Sequence, residues 1–82
     1  MFINETSKYI YKITKKQIFV FTKDDSLIKR IDLPKKERVL AFADMYFEIG
    51  TLKVIFDTND NYQYKATLNE ENFEFSDWGF TK

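Results

Sequence analysis

The stretch Gln17-Ile-Phe-Val-Phe-Thr-Lys-Asp-Asp-Ser-Leu-Ile-Lys-Arg-Ile-Asp-Leu33 places two apolar runs on either side of an acidic turn. Its period is two, the period of extended backbone. Phe19 and Phe21 share one face of the first run, and Ile18 and Val20 share the other. A strand apolar on both faces is expected to lie centrally, covered on both sides. In the second run Leu27, Ile31 and Leu33 share a face, while Ile28, Arg30 and Asp32 face the other way. Lys23-Asp24-Asp25-Ser26 reads as the turn between them, because Asp side chains accept hydrogen bonds from nearby backbone amides. Pro34 ends the second run, since proline cannot donate to a ladder.

The same pattern extends in both directions. Upstream, Tyr9-Ile-Tyr-Lys-Ile13 is a strand joined to Gln17 by the short turn Thr14-Lys15-Lys16. Downstream, Val39, Ala41, Ala43, Met45, Phe47 and Ile49 alternate as a strand would. Val39, Phe42, Ala43, Tyr46 and Phe47 also fall on one helical face; strands broken near Asp44 are the preferred reading of this segment. Leu52–Asp57 and Tyr62–Leu68 read as two strands joined by Thr58-Asn59-Asp60-Asn61. Asn69-Glu70-Glu71-Asn72 is a further turn, Phe73 and Phe75 alternate in a last strand, and Asp77-Trp78-Gly79-Phe80 is a closing tail. The expected fold is all-β: one domain over 1–82, an antiparallel meander of seven to eight short strands, arranged as blade-like sheets, a small barrel or a sandwich.

A shift of 35 residues lays Tyr11 on Tyr46, Phe21 on Phe56, Asp25 on Asp60 and Leu33 on Leu68. The correspondence is one of strands and turns. The segment Gln17–Leu33, with Leu52–Leu68 as its second copy, resembles the outer strands and hairpin of a β-propeller blade. That resemblance implies two blade-like repeats and scaffold rather than chemistry. Propellers typically need 4–8 blades, so it further implies oligomerisation to close a ring, or meanders used differently. It carries over no functional residue.

Composition removes several function classes. The 82 residues contain no cysteine and no histidine. Disulfides, thiolate nucleophiles, Cys/His zinc sites and imidazole bases are therefore excluded. The longest apolar run is Val39–Ala43, far short of the roughly 20 residues a membrane helix needs. No membrane partner and a cytoplasmic location are expected. Net charge is zero, but residues 1–40 carry ten Lys/Arg against five Asp/Glu, and residues 41–82 carry three against eight. One expectation is that the two halves interleave and opposite charges meet across strands. The alternative is a dipole that aligns subunits head to tail or steers a charged partner. Lysines 12, 23, 29, 53 and 65 are candidates to blunt sheet edges.

No constellation of catalytic type emerges, and the chain is read as a non-enzyme with no cofactor, no metal and no catalytic residues. Ser7, Ser26 and Ser76 lie outside any nucleophile elbow. Asp57-x-Asn59-x-Asn61 begins like a calcium loop but lacks the following glycine, and Leu68 stands where the bidentate glutamate belongs. Lys12, Lys15, Lys16, Lys23, Lys29 and Arg30 interleave with Tyr9, Tyr11, Phe19 and Phe21 as single-stranded nucleic-acid platforms do. The overall pI near 6.2 argues against that partner. Trp78 and Phe80, with Tyr62 and Tyr64 on a nearby strand, either close the core or form a partner-binding patch, since aromatics dominate interface hot spots. The expected function is a protein-interaction or self-association module, with an immunity or inhibitor protein as one specific form. Alternatives are a small-ligand or carbohydrate binder that stacks on these aromatics, and a single-stranded nucleic-acid binder.

Overall fold

The computed structural model describes residues 2–60 and 62–81. Eight strands and no helix form among them: β1 (Phe2–Glu5), β2 (Ile10–Ile13), β3 (Gln17–Phe21), β4 (Leu27–Asp32), β5 (Val39–Glu48), β6 (Thr51–Thr58), β7 (Gln63–Leu68) and β8 (Phe75–Thr81). They make two four-stranded antiparallel sheets, ordered β1-β2-β3-β4 and β5-β6-β7-β8. Every link within a sheet is a hairpin, so each sheet is an up-and-down meander. The all-β expectation holds, and the strand number is eight.

The sheets share one core. Tyr11, Ile13, Ile18, Val20 and Ile31 supply it from the first sheet. Phe42, Met45, Leu52, Val54, Phe56, Ala66 and Leu68 supply it from the second. Cross-strand register explains the set: Tyr11 lies opposite Val20, Ile13 opposite Ile18, and Ile18 opposite Ile31. In the second sheet Leu52 faces Leu68 and Val54 faces Ala66. Apolar residues paired on one side of each pleat leave one layer to pack on the other.

Several expectations change. β3 is central in its sheet, yet only Ile18 and Val20 are buried. Phe19 and Phe21 lie on the outer face, because two layers leave no third to cover them; Lys12 extends over Phe21, with Nζ 4.6 Å from the ring centre. Leu27 does not share a face with Ile31. A register shift beside Phe21 sets Leu27 opposite that ring, and Leu27 is 55% exposed. β5 is one ten-residue strand, not two pieces broken near Asp44. A bulge between Phe42 and Asp44 replaces the break, so that Phe42 and Met45 both face the core. Of the alternating set beginning at Val39, Met45 is buried and Val39 packs against the core, whereas Phe47 and Ile49 are exposed. The presumed tail is part of β8, and Phe73 belongs to the preceding turn, at φ 59°. Asn61 of the expected Thr58–Asn61 turn and of the calcium-like spacing lies outside the described residues.

The two halves of the chain do not interleave. Short hairpins keep sequence neighbours adjacent, so the basic half builds one sheet and the acidic half the other. The 35-residue register lays β2 on β5, β3 on β6 and β4 on β7, one strand out of phase with the two sheets. Of the five lysines considered as edge guards, only Lys29 sits on an edge strand, β4.

Alternating strands also sort the connections to two ends. At one end lie the β2–β3 turn, the β4–β5 linker (33–38) and the β6–β7 turn. Here the Phe42 N–H donates to the Lys15 carbonyl at 2.8 Å and Lys16 Nζ to the Leu40 carbonyl at 3.1 Å. At the other end lie the β1–β2, β3–β4, β5–β6 and β7–β8 turns, where Thr6 Oγ1 donates to Glu70 Oε2 at 2.7 Å. The linker end carries Lys15, Lys16, Lys35, Lys36 and Arg38 against Glu37 and Asp60, with Asp32 and Asp57 at the strand ends beside them. The opposite turns carry Asp24, Asp25, Glu70, Glu71 and Glu74 against Lys8 and Lys23, with Glu48 beside them.

Candidate functional site: an aromatic recess at the basic end

Asp60 organises the β6–β7 turn. Its Oδ1 accepts from Thr58 Oγ1 at 2.7 Å and from the Tyr62 N–H at 3.0 Å. Its Oδ2 accepts from Arg38 Nη1 at 3.3 Å. The Thr58 hydroxyl, the Tyr62 amide and the Arg38 charge hold the Asp60 carboxyl below the usual carboxylate range. Arg38 has φ 76°, a left-handed conformation that a long side chain rarely adopts. Its carbonyl accepts the Asn59 N–H at 3.2 Å, so the linker and the turn are tied at two points.

These ties set Tyr62 beside the end of β8. Tyr62 and Phe80 meet edge to face at 5.9 Å, and Phe80 stacks on Tyr64 at 4.8 Å. Tyr64 reaches Trp78 at 5.9 Å, and Trp78 lies 5.0 Å from Phe56. Phe56 continues to Phe42 and Phe75, both at 5.3 Å. The chain of rings thus runs from the core to solvent. Such pairs add about 0.5–1.5 kcal/mol each beyond area burial.

The four residues singled out from the sequence are brought together, with different roles. Trp78 is half-buried, with Phe56 against it and Lys36 Nζ 4.9 Å from its ring centre. Lys36 also sits 5.5 Å from Tyr64. The exposed members are Phe80 at 58% and Tyr62 at 47%. With Arg38 and Thr81 they line an open recess of about 470 Å³. Sequence reasoning missed Lys36, Arg38 and Asp60. Only Asp60 gave a signal, as a turn residue; nothing in the periodicity of the linker points to its cations.

Edge strand β8 runs past this recess. Natural edges are blunted by short length, lysine, proline or bulges. β1 has four residues, β4 carries Lys29 and Arg30, and β5 has two register shifts. β8 shifts register across Asp77 and Trp78, and its last stretch, Gly79–Thr81, carries no charge, no proline and no further shift.

Among the described residues, no group of three or more acidic side chains is placed to hold a metal ion. They contain no helix long and apolar enough to cross a membrane. Comparison with protein-family models, curated proteins and solved structures finds no match for the chain.

Proposed function

We propose that this chain is a non-catalytic protein-interaction module that docks its partner on Tyr62 and Phe80, with Tyr64 and Trp78 as the packed base. The observation that carries this reading is the continuous chain of rings. It anchors two exposed aromatics to the core beside an uncharged strand edge. Rigid aromatic anchors lose little side-chain entropy on binding, and Arg38 and Lys36 favour a partner surface with acidic groups. Lys36 and Phe56 against Trp78 disfavour its use as a stacking platform for sugars. An immunity or inhibitor role in the cytoplasm is one form of this function. The meander order of both sheets supports reading them as blade-like units, and a closed propeller ring would need further copies.

The test is capture from a native lysate with tagged wild type and with Phe80→Asp. Wild type should retain a protein in fixed stoichiometry that the variant loses. Identical capture profiles, together with a wild type that stays monomeric in solution, would remove the aromatic end as the docking surface.

A further inference from the structure

The β5–β6 hairpin turns on two residues, Ile49 and Gly50, because Glu48 pairs with Thr51. Both have positive φ, 49° and 72°. Two-residue hairpins of this kind select Asn, Asp or Gly. A β-branched residue there is an outlier, and the left-handed conformation costs it roughly 1–2 kcal/mol. Two other bulky residues share positive φ, and both are compensated. Phe73 packs on Tyr9 at 5.4 Å, and Arg38 is held by Asn59 and Asp60. Ile49 is 96% exposed, so no packing offsets its strain. An aliphatic side chain is thus held out at a tip where folding alone would favour asparagine. Outliers of this sort mark functional positions more often than chance.

The tip stands at the acidic end, with Glu48 beside it and Glu70, Glu71 and Glu74 on the neighbouring turn. The recess stands at the basic end, lined by Tyr62 and Phe80, with Arg38 at its rim and Lys35 and Lys36 on the same linker. Knob and recess are both apolar, Lys36 and Arg38 outnumber Asp60 around the recess, and knob and recess lie at opposite ends of one neutral molecule. We infer that the recess receives the Ile49 tip of a second copy, with Glu48 of the incoming hairpin facing Arg38. This rests on the reading of the aromatic end as a docking surface and names its occupant. Such a contact is heterologous: each copy offers one knob and one recess, so copies join head to tail into a ring or a filament. The charges at the contact make association weaker at high salt.

The test uses the purified full chain in sedimentation velocity over a rising concentration series. Wild type should grow in mass past the dimer. Ile49→Asn removes the knob while suiting the turn, and Phe80→Asp or Arg38→Glu spoils the recess. Each variant alone should remain at 9.9 kDa. Mixed in equal amounts, the knob variant and a recess variant should form a one-to-one pair that grows no further, because one intact knob meets one intact recess. A wild type that stays monomeric up to millimolar concentration would overturn the inference. So would Ile49→Asn assembling like wild type, or folded variants that fail to pair. A monomeric wild type that still captures a foreign protein through Phe80 would overturn self-assembly alone and leave the docking surface standing.

Discussion

Tyr11 and Glu70 join the two sheets by a part-buried polar contact. The Tyr11 hydroxyl, fully buried, donates to Glu70 Oε2 at 2.8 Å, and Thr6 Oγ1 donates to the same oxygen. An unpartnered buried hydroxyl costs about 1–3 kcal/mol, so Glu70→Ala should lower stability to urea by that amount. The same substitution in a Tyr11→Phe background should cost less, and strictly additive losses would show that the contact is not shared. Burial, the Glu70 hydrogen bond and its charge together push the Tyr11 phenol above its ordinary value. The unfolded phenol ionises near pH 10 while the folded one stays neutral. Its stabilisation is therefore complete below about pH 10 and declines as pH rises further. Tyr11→Phe should flatten this alkaline decline, which is measurable by urea titration at stepped pH. For Ile49→Asn, relief of backbone strain should raise thermal stability, by about 1 kcal/mol. A lower melting temperature would mean that Ile49 is supported by contacts absent from this structure.

The strands were largely legible because period two survives wherever hairpins are regular. β1 escaped notice because Phe2-Ile3-Asn4-Glu5 is short and its polar half hides the alternation. Bulges explain the remaining errors in facing. Two extra residues in β5 interrupt its alternation, so that Phe42 joins Val39 and Met45 on the core side, and the shift beside Phe21 moves Leu27 to the surface. Bulges are set by the partner strand, which periodicity along one segment does not contain. On β3 the two faces should respond differently to mutation. Ile18→Ala opens a core cavity and should cost about 2–5 kcal/mol. Phe19→Thr keeps a β-former on the open face and should cost under about 1 kcal/mol. Equal losses by chemical denaturation would mean that the outer face is covered.

Across the molecule, sheet membership could not be read from composition. The charge split was visible, but its meaning depended on whether the halves interleave. Contiguous meanders turn that split into a separation between layers, and the placement of turns turns it into a separation between ends. The aromatic site was partly legible: Tyr62, Tyr64, Trp78 and Phe80 stood out as rings, whereas the linker cations that frame them are placed only by tertiary structure. The Ile49 knob was hidden in an alternating run that it does not belong to structurally. Amide hydrogen exchange at low and high protein concentration probes both fold and assembly. Central strands β2, β3, β6 and β7 should be slow throughout, and high concentration should add protection at residues 48–51 and 78–81. Protection gained instead along β1–β4, or gained nowhere, would contradict a molecule built to join its acidic tip to its aromatic end.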